Sequence, residues 1–254
     1  MGQGHQGRLV ILTGPSCVGK GPLHKALDRL EPDLHARLRP VVLYNSRQAR
    51  PGEREGVDYY FRSREEVAAL RNRDRYVVME VRGDLQALDL EELEGHLEEG
   101  DAFFEGNPYI AKLLLTHRRL TDVERLSVFL SPLSRVEVEF LSERDRHVQL
   151  GELVANVMRR KLLRRTRRYK GELSLPDLED IERRATTAYT ELQEAWRCDL
   201  VIPNHDGEDS ENWDAFYYPI GDARRAVTAF AALLRGQRPE NAEVWPHDLL
   251  GPPA

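Results

Sequence analysis

Residues 8–31, RLVILTGPSCVGKGPLHKALDRLE, contain two different hydrophobic patterns on either side of a glycine-rich turn. The apolar run at 9–12 predicts a strand that is buried on both faces of a sheet. The spacing of Leu23 and Leu27 predicts an amphipathic helix over residues 22–31. Because the turn joins the carboxyl end of the strand to the start of the helix, it lies where open α/β sheets bind their ligands.

The turn has the composition of a phosphate-binding loop. Its residues are Gly14, Pro15, Ser16, Cys17, Val18, Gly19, Lys20 and Gly21. Glycines allow backbone N–H groups to converge on an anion, the helix N-terminus adds a partial positive charge, and Lys20 can reach phosphate oxygens. The pattern therefore predicts a nucleotide-phosphate site; the alternative is a glycine-rich turn with a surface lysine.

The loop lacks the hydroxyl that usually follows its lysine. Gly21 and Pro22 come directly after Lys20, whereas a Ser or Thr at this point normally holds Mg²⁺. We therefore expect Mg²⁺ to be held by nucleotide phosphates, water and a carboxylate from another part of the chain.

Composition limits the classes of function. The chain has 254 residues, 41% of them hydrophobic, and a formal net charge of −6, which does not favour nonspecific nucleic-acid binding. Its two cysteines predict reduced thiols. The first seven residues lack the apolar core of a signal peptide, and no apolar run approaches membrane-spanning length. We expect a cytoplasmic protein without a membrane partner.

Strand and helix patterns alternate along the chain, which predicts an α/β fold with a mostly parallel sheet. Strands are predicted at 8–13, 40–44, 76–82, 101–106, 125–131 and 198–203, and helices at 22–31, 63–72, 89–99, 108–118 and 132–143. Ser63–Glu66 is a capping box. Residues 144–197 read as a charged helical region that breaks at Pro176.

Several motifs in the same order resemble the guanylate kinase family over residues 8–206. They are the phosphate-binding loop, the stretch NSRQARPGEREGVDYYF at 45–61, the capping box and the strand VIPNHD at 201–206. The resemblance implies a three-layer P-loop fold with an acceptor-binding region at 45–100 and a helical lid at 144–197. We expect residues 207–236 to form a loop and a closing helix, and residues 237–254 a surface or disordered tail.

The resemblance assigns the acceptor's phosphate to Arg47, Arg50 and Tyr59. Two guanidinium groups three residues apart can form forked, charge-assisted hydrogen bonds to one phosphate, and a phenol can complete the shell. The alternative is a solvated basic loop.

The residues that would read a guanine base depart from the family pattern. Leu43 replaces a serine, Glu80 matches the family's glutamate only if the alignment slips, and Asn107 replaces an aspartate. A guanine edge without acceptors for its donors would lose about 1–3 kcal/mol per group. GMP is therefore the default acceptor, with Glu80 and Asn107 as substrate-binding candidates.

The family pattern supplies further candidates. Glu105 ends an apolar strand and is the candidate for orienting Mg²⁺, against the alternative of a solvated strand-end glutamate. By resemblance, Asn204 would lie near the donor adenine. Lid arginines that would stabilise the transferred charge are Arg144, Arg146, Arg183 and Arg184.

Two segments have no counterpart in the resemblance. The basic helix predicted at 158–171 could pair with the acidic residues 172–182, hold a more highly phosphorylated acceptor, or bind nucleic acid or an acidic partner. Residues 207–220 predict an ordered loop that packs Trp213, Phe216 and Tyr217 on the domain.

The combined interpretation is a kinase that uses ATP and Mg²⁺ to phosphorylate a phosphate-bearing small molecule, with a nucleoside monophosphate as the first expectation. A kinase for another phosphorylated molecule, such as a sugar phosphate, and a non-catalytic binding module are the alternatives. Nucleic acid is not an expected partner, and the sequence leaves the oligomeric state open.

Overall fold

A five-stranded parallel sheet forms the centre of the computed structural model, which describes residues 7–50 and 52–251. Across the sheet its strands are β2 (Leu38–Pro40), β7 (Asp101–Gly106), β1 (Leu9–Thr13), β8 (Arg125–Ser131) and β9 (Leu200–Pro203). All five residues of β1 are buried, as its apolar run predicts. The predicted α/β class with a mostly parallel sheet is confirmed.

Helices cover both faces of the sheet and make it the middle of three layers. Val10 and Leu12 of β1 belong to one buried cluster, whereas Leu9 and Ile11 belong to another, because successive strand side chains point to opposite faces. The first cluster includes residues of α1 (Lys20–Leu30), α7 (Leu150–Lys170), α8 (Leu175–Thr186) and α10 (Gly221–Leu234), and the second includes residues of α4 (Leu90–Glu99) and α5 (Pro108–Thr116).

The remaining helices are short. They are α2 (Pro32–His35), α3 (Arg64–Ala69), α6 (Arg135–Leu141) and α9 (Ala188–Leu192). The predicted capping box is confirmed at the start of α3, where Ser63 and Glu66 bond reciprocally. In the described residues, no helix combines the length and apolar character needed to cross a membrane.

A second, four-stranded sheet was only partly predicted. Its order is β4 (Tyr60–Phe61), β3 (Tyr44–Asn45), β6 (Asp84–Asp89) and β5 (Tyr76–Val81). The strand predicted at 40–44 is wrong as one element, because the chain leaves the central sheet and enters the second sheet at Tyr44. The strand β6 was missed.

The hairpin between β5 and β6 explains the missed strand. Arg82 and Gly83 form a two-residue loop with φ values of 53° and 88°. Two positive φ values are typical of a hairpin turn, which usually contains Asn-Gly or Asp-Gly. Because Arg82 occupies the first position, the sequence lacks the Asn-Gly or Asp-Gly pattern that would predict a hairpin here.

The lid region consists mainly of α7 and α8. The break between the helices lies at Gly171, whose φ is 74°, and α8 then begins after the cap residue Ser174. Pro176 lies inside the first turn of α8, where it costs no hydrogen bond, so it marks the helix start and not the break predicted for it.

The closing helix is confirmed as α10, but the tail after it is not a loose surface segment. Glu243 pairs with Val201 through two backbone hydrogen bonds of 2.8 Å. Ala242 and Trp245 are 8% and 4% exposed, so this part of the predicted tail belongs to the core. Residues 1–6, Pro51 and residues 252–254 lie outside the described residues, and residues 1–6 are most of the stretch that was predicted to lack a signal peptide.

Candidate functional site

A cavity of about 300 Å³ lies where the phosphate-binding loop, the second sheet and α8 meet. The loop residues Gly14, Ser16, Cys17 and Lys20 line one side. Arg47, Arg50 and Tyr59 line another side, and Arg183 and Arg184 of α8 also contribute. The fold thus brings the predicted donor loop, the acceptor loop and two lid arginines into one cavity.

The phosphate-binding loop has the backbone geometry that its glycines predict. Gly14 and Gly19 have φ values of 144° and 108°. A Cβ at Gly14 would lie 2.3 Å from the carbonyl oxygen of Leu130, and one at Gly19 would lie 2.7 Å from the Asn204 amide nitrogen. No other residue type fits these two positions without a shift of neighbouring atoms.

Lys20 is held against the loop that it follows. Its Nζ donates hydrogen bonds of 2.8 Å to the carbonyl oxygens of Gly14 and Pro15. Burial lowers the pKa of this ammonium, an effect that Glu208 and Glu105 oppose. The lysine is therefore a buried cation that lies beside the cavity and can exchange carbonyl partners for an anion.

The structure distinguishes the two arginines of α8. Arg184 is 6% exposed, and its Nε donates to Ser16 Oγ at 3.1 Å. Burial, together with the charges of Arg165 and Arg50, lowers the pKa of Arg184 to about 9. Arg183 has a half-exposed side chain and donates to Asp180 at 2.8 Å. Arg184 is thus the inward member of the pair.

Both acceptor-loop arginines point into the cavity and are paired with carboxylates. Arg47 forms two hydrogen bonds of 2.6 Å to Glu53, and its guanidinium carbon lies 5.0 Å from the centre of the Tyr59 ring. Arg50 donates to Asp180 of α8 at 3.1 Å. The two guanidinium groups are therefore oriented by internal anions in the way a bound phosphate would orient them.

Two of the predicted base-reading residues do not present a free acceptor to the cavity. Glu80 has a 58% exposed side chain and pairs with Arg64 outside the cavity, so the structure does not support its predicted role. Asn107 lines the cavity, but its Oδ1 caps α5 and its Nδ2 donates to Gln86 at 3.2 Å.

Glu105 lies at the end of β7, lines the cavity and accepts a contact of 3.0 Å from His24. Among the described residues, no group of three or more His, Cys, Asp or Glu side chains could hold a metal ion. The residues present therefore fit Mg²⁺ only as part of a metal–nucleotide complex, with Glu105 as one carboxylate and phosphates as the main ligands.

Asn204 lies behind the phosphate-binding loop and has no exposed surface. Its Nδ2 donates to the carbonyl oxygens of Val18 at 2.8 Å and Asp206 at 2.6 Å. These bonds make Asn204 a support for the loop, and its place near the donor adenine stays a prediction.

Arg144 and Arg146 lie outside the cavity, in a single exposed turn of 3₁₀ helix. Arg146 pairs with Glu143 at 3.1 Å and its guanidinium lies 3.6 Å from the centre of the Phe140 ring. The structure thus separates this predicted pair of lid arginines from the site, because the long helix α7 intervenes in the chain before α8.

Several residues that line the cavity were not predicted from the sequence. They are Glu53, Asp58, Val81, Arg82, Asp84, Gln86, Gly106, Asp180 and Glu208. Arg82 donates to the fully buried Glu191 at 2.9 Å and lies in the hairpin loop that was not predicted. Asp180 precedes Arg184 by one helical turn, a spacing that could have revealed it.

Comparisons with known proteins find guanylate kinases. The family model "Guanylate kinase" matches residues 6–99. The guanylate kinase of Synechococcus sp. (strain JA-3-3Ab) is 52% identical over 65 residues, which are 26% of this chain and 28% of that protein. The guanylate kinase of Enterococcus faecalis (strain ATCC 700802 / V583) is 47% identical over 66 residues, 26% of this chain and 30% of that protein.

The chain thus matches less than a third of the length of these two relatives. The structural comparison extends further: the crystal structure of guanylate kinase from Anaplasma phagocytophilum has a TM-score of 0.53 and 21% identity, and the match covers 96% of this chain and 93% of that one. At this identity the likeness establishes the fold. The chain thus matches the guanylate kinase family model over residues 6–99 and shares the fold of a guanylate kinase over nearly its whole length.

Proposed function

We propose that the protein transfers a phosphoryl group from ATP to a nucleoside monophosphate, with GMP or dGMP as the first acceptor to test. One observation carries this proposal: a single cavity contains Lys20 of the phosphate-binding loop, Arg47 and Arg50 of the acceptor loop, and Arg184 of the lid. Cations at both ends of one cavity suit the joining of two phosphate-bearing substrates.

In this proposal, different side chains bind the donor phosphates, bind the acceptor phosphate and stabilise the transferred charge. The loop amides and Lys20 bind the donor phosphates, while Arg47, Arg50 and Tyr59 bind the acceptor phosphate in place of Glu53 and Asp180. Arg184 is already directed at Ser16 in the loop, so it needs little reorganisation to stabilise charge that develops during transfer. Mg²⁺, when bound through the phosphates and Glu105, would neutralise part of the donor's charge.

A second candidate is transfer to a different phosphorylated small molecule, such as a sugar phosphate. The observation that favours it is the base-reading region: Leu43 is buried at 4% exposure and Glu80 faces away from the cavity. The family match and the relatives' names support the nucleotide acceptor, which we therefore prefer.

The test is an acceptor panel in an assay that follows ADP release with ATP and Mg²⁺. We expect the fastest turnover with GMP or dGMP, slower turnover with other nucleoside monophosphates, and the slowest with ribose 5-phosphate. The Lys20→Ala variant should lose turnover by about 10²-fold or more, because the transferred charge loses its buried cation. Lys25→Ala, which removes an exposed lysine from the same helix, is the matched control.

Wild-type turnover in Lys20→Ala would contradict the assignment of the donor site. A preference for ribose 5-phosphate over every nucleotide would replace the proposed function by the second candidate. Binding of acceptors without any ADP release would favour a non-catalytic module.

A further inference from the structure

The two segments without a counterpart in the family pattern contact each other. One is the basic face of α7, formed by residues 161, 164, 165 and 168, whose spacing of three and four places them on one side of a helix. The other is the acidic segment, residues 205–211, which begins two residues before the second of these segments, residues 207–220. The contacts are Lys161 Nζ to the His205 carbonyl at 2.5 Å, Arg164 to Asp209 at 3.7 Å, Arg165 to Glu208, and Arg168 to Glu211 at 3.1 Å.

The contacts of the basic helix agree only in part with the alternative that it pairs with the acidic residues 172–182. Arg159 and Lys170 do pair with Glu182 and Asp177 of α8, as one alternative expected. The four positions of the basic face instead contact the acidic segment, which the sequence analysis did not consider as their partner.

The acidic segment lies directly on the phosphate-binding loop. The backbone N–H of Glu208 donates to the carbonyl oxygen of Cys17 at 3.2 Å. A Cβ at Gly207 would lie 2.5 Å from the same oxygen, so only glycine allows this close approach. Trp213, which is 5% exposed, anchors the segment through hydrogen bonds from its Nε1 to the carbonyl oxygens of Asp206 and Gly207.

This contact places a carboxylate among the cations of the donor site. Glu208 lines the cavity beside Lys20 and Ser16 and pairs with Arg165 of the basic face. Burial by itself would raise the pKa of Glu208, but Arg165, Lys20 and Arg184 outweigh burial and the pKa is lowered. The carboxylate thus interacts with three cations in the position where a nucleotide's phosphates would need them.

The contacts around Glu208 would yield to a stronger anion. The flanking pairs Arg164–Asp209 and Arg168–Glu211 each have one largely exposed side chain, 72% and 87% exposed, and such pairs contribute little to stability. The Arg165–Glu208 pair is more buried, with side chains 18% and 20% exposed, and is the contact that the phosphates must displace. A triphosphate carries several charges where Glu208 carries one. Burial, and then the charges of Arg165 and Arg50, lower the pKa of Arg184, so an added anion beside these guanidinium groups would stabilise their charged forms.

We propose that Arg165 is a donor-phosphate-binding residue, and that the Glu208 carboxylate is an internal anion that the donor's phosphates displace when they bind. The inference rests on the proposed function, since it adds a ligand to the same donor site. In the present structure the Glu208 carboxylate lies between Arg165 and the cavity. When the phosphates displace it, the acidic segment moves off the loop and Arg165 becomes accessible from the cavity.

The test measures equilibrium binding of ATP and of inorganic tripolyphosphate by calorimetry, without acceptor and both with and without Mg²⁺. Glu208→Gln removes the competing charge, so both probes should bind tighter, by about 5-fold or more. Arg165→Gln removes a charged donor, so both should bind weaker, by about 10-fold or more. Arg164→Gln, the exposed neighbour on the same face, is the matched control and should leave both affinities unchanged.

If Glu208→Gln binds both probes with unchanged or lower affinity, the phosphates do not displace the Glu208 carboxylate. If Arg165→Gln binds them with unchanged affinity, Arg165 does not bind the donor's phosphates. If Glu208→Gln binds the two probes more weakly only when Mg²⁺ is present, Glu208 is a ligand of the metal instead. If Glu208→Gln does not fold, Glu208→Asp, which withdraws the carboxylate by one methylene, should tighten binding in the same direction.

The two levels of inference fail differently. Wild-type protein that binds neither ATP nor tripolyphosphate would overturn the proposed function together with this inference. Wild-type binding with no response in either variant would overturn this inference alone.

Discussion

Cys17 illustrates how the fold sets the chemistry of a single side chain. It lies inside the phosphate-binding loop with a positive φ of 65° and has no exposed surface. Burial raises the pKa of its thiol to about 12, and the carboxylate of Glu208 adds to the effect. The thiol is therefore neutral at physiological pH and adds no negative charge to the loop.

We predict that native Cys17 does not react with a disulfide reagent at pH 8, because the thiolate is the reacting species. Cys198 is also buried and its pKa is raised to about 12, so the Cys198→Ser variant isolates the signal of Cys17. Absorbance of the released thiolate follows the reaction, and the same protein in guanidinium chloride should react completely. Rapid labelling of the native variant would show that the loop opens far more readily than its burial indicates.

At the scale of elements, α8 joins the two halves of the site. Asp180, Arg183 and Arg184 follow one another at helical spacing, so one face of α8 touches the acceptor loop through Arg50 and the donor loop through Ser16. The acidic residue at the first of these positions neutralises three arginines from two elements. Its removal should affect both the stability of the fold and the position of Arg50.

Asp180 should stabilise the protein in a pH-dependent way. Burial opposes its charge, yet Arg50 and Arg184 outweigh burial and lower the pKa of Asp180 to about 2, below the 3.8 of an unperturbed carboxyl group. The stabilisation is complete above pH 3.8 and is lost as the pH falls towards 2. The side chain is 24% exposed, so we expect Asp180→Asn to lower the free energy of unfolding at pH 7 by about 1–2 kcal/mol, after allowance for screening.

Urea denaturation at pH 7, 5, 4 and 2 measures this effect. The difference between wild type and Asp180→Asn should be equal at pH 7 and 5 and should narrow below pH 4. The exposed Asp122→Asn is the control and should change stability by less than about 0.5 kcal/mol. A difference that grows as the pH falls would have the wrong sign for a carboxylate with a lowered pKa.

At the scale of the whole molecule, the segment after α10 closes the edge of the central sheet. Glu243 continues the hydrogen bonding at β9, and the carbonyl oxygen of Leu250 accepts from Tyr189 of α9 at 3.2 Å. The segment therefore ties together the sheet and the helices that follow the lid.

We predict that Trp245→Ala lowers the free energy of unfolding by about 3 kcal/mol, since it empties a site that is only 4% exposed. Val244→Ala changes a half-exposed neighbour and should cost less than about 0.5 kcal/mol. Thermal unfolding of the two variants provides the measurement. Equal unfolding temperatures would show that the segment does not belong to the cooperative fold.

The elements that the sequence predicted correctly depend on local patterns. The buried run of β1, the glycines at 14 and 19 and the capping box at Ser63 each specify the conformation of a few neighbouring residues. Local patterns did not predict the hairpin turn at Arg82, because the first position of this turn is not the usual Asn or Asp. For that reason β6 was missed and the second sheet was only partly predicted.

The amino-acid sequence by itself determined the parallel α/β architecture and the glycine-rich loop after β1, because short-range periodicity and turn chemistry encode them. Only the tertiary structure decided that Arg184 points inward, that Glu80 points away and that Arg165 meets Glu208. The reason is physical: the last contact joins residues 43 positions apart, and such partners are chosen by how helices pack on the sheet and not by the pattern within either segment.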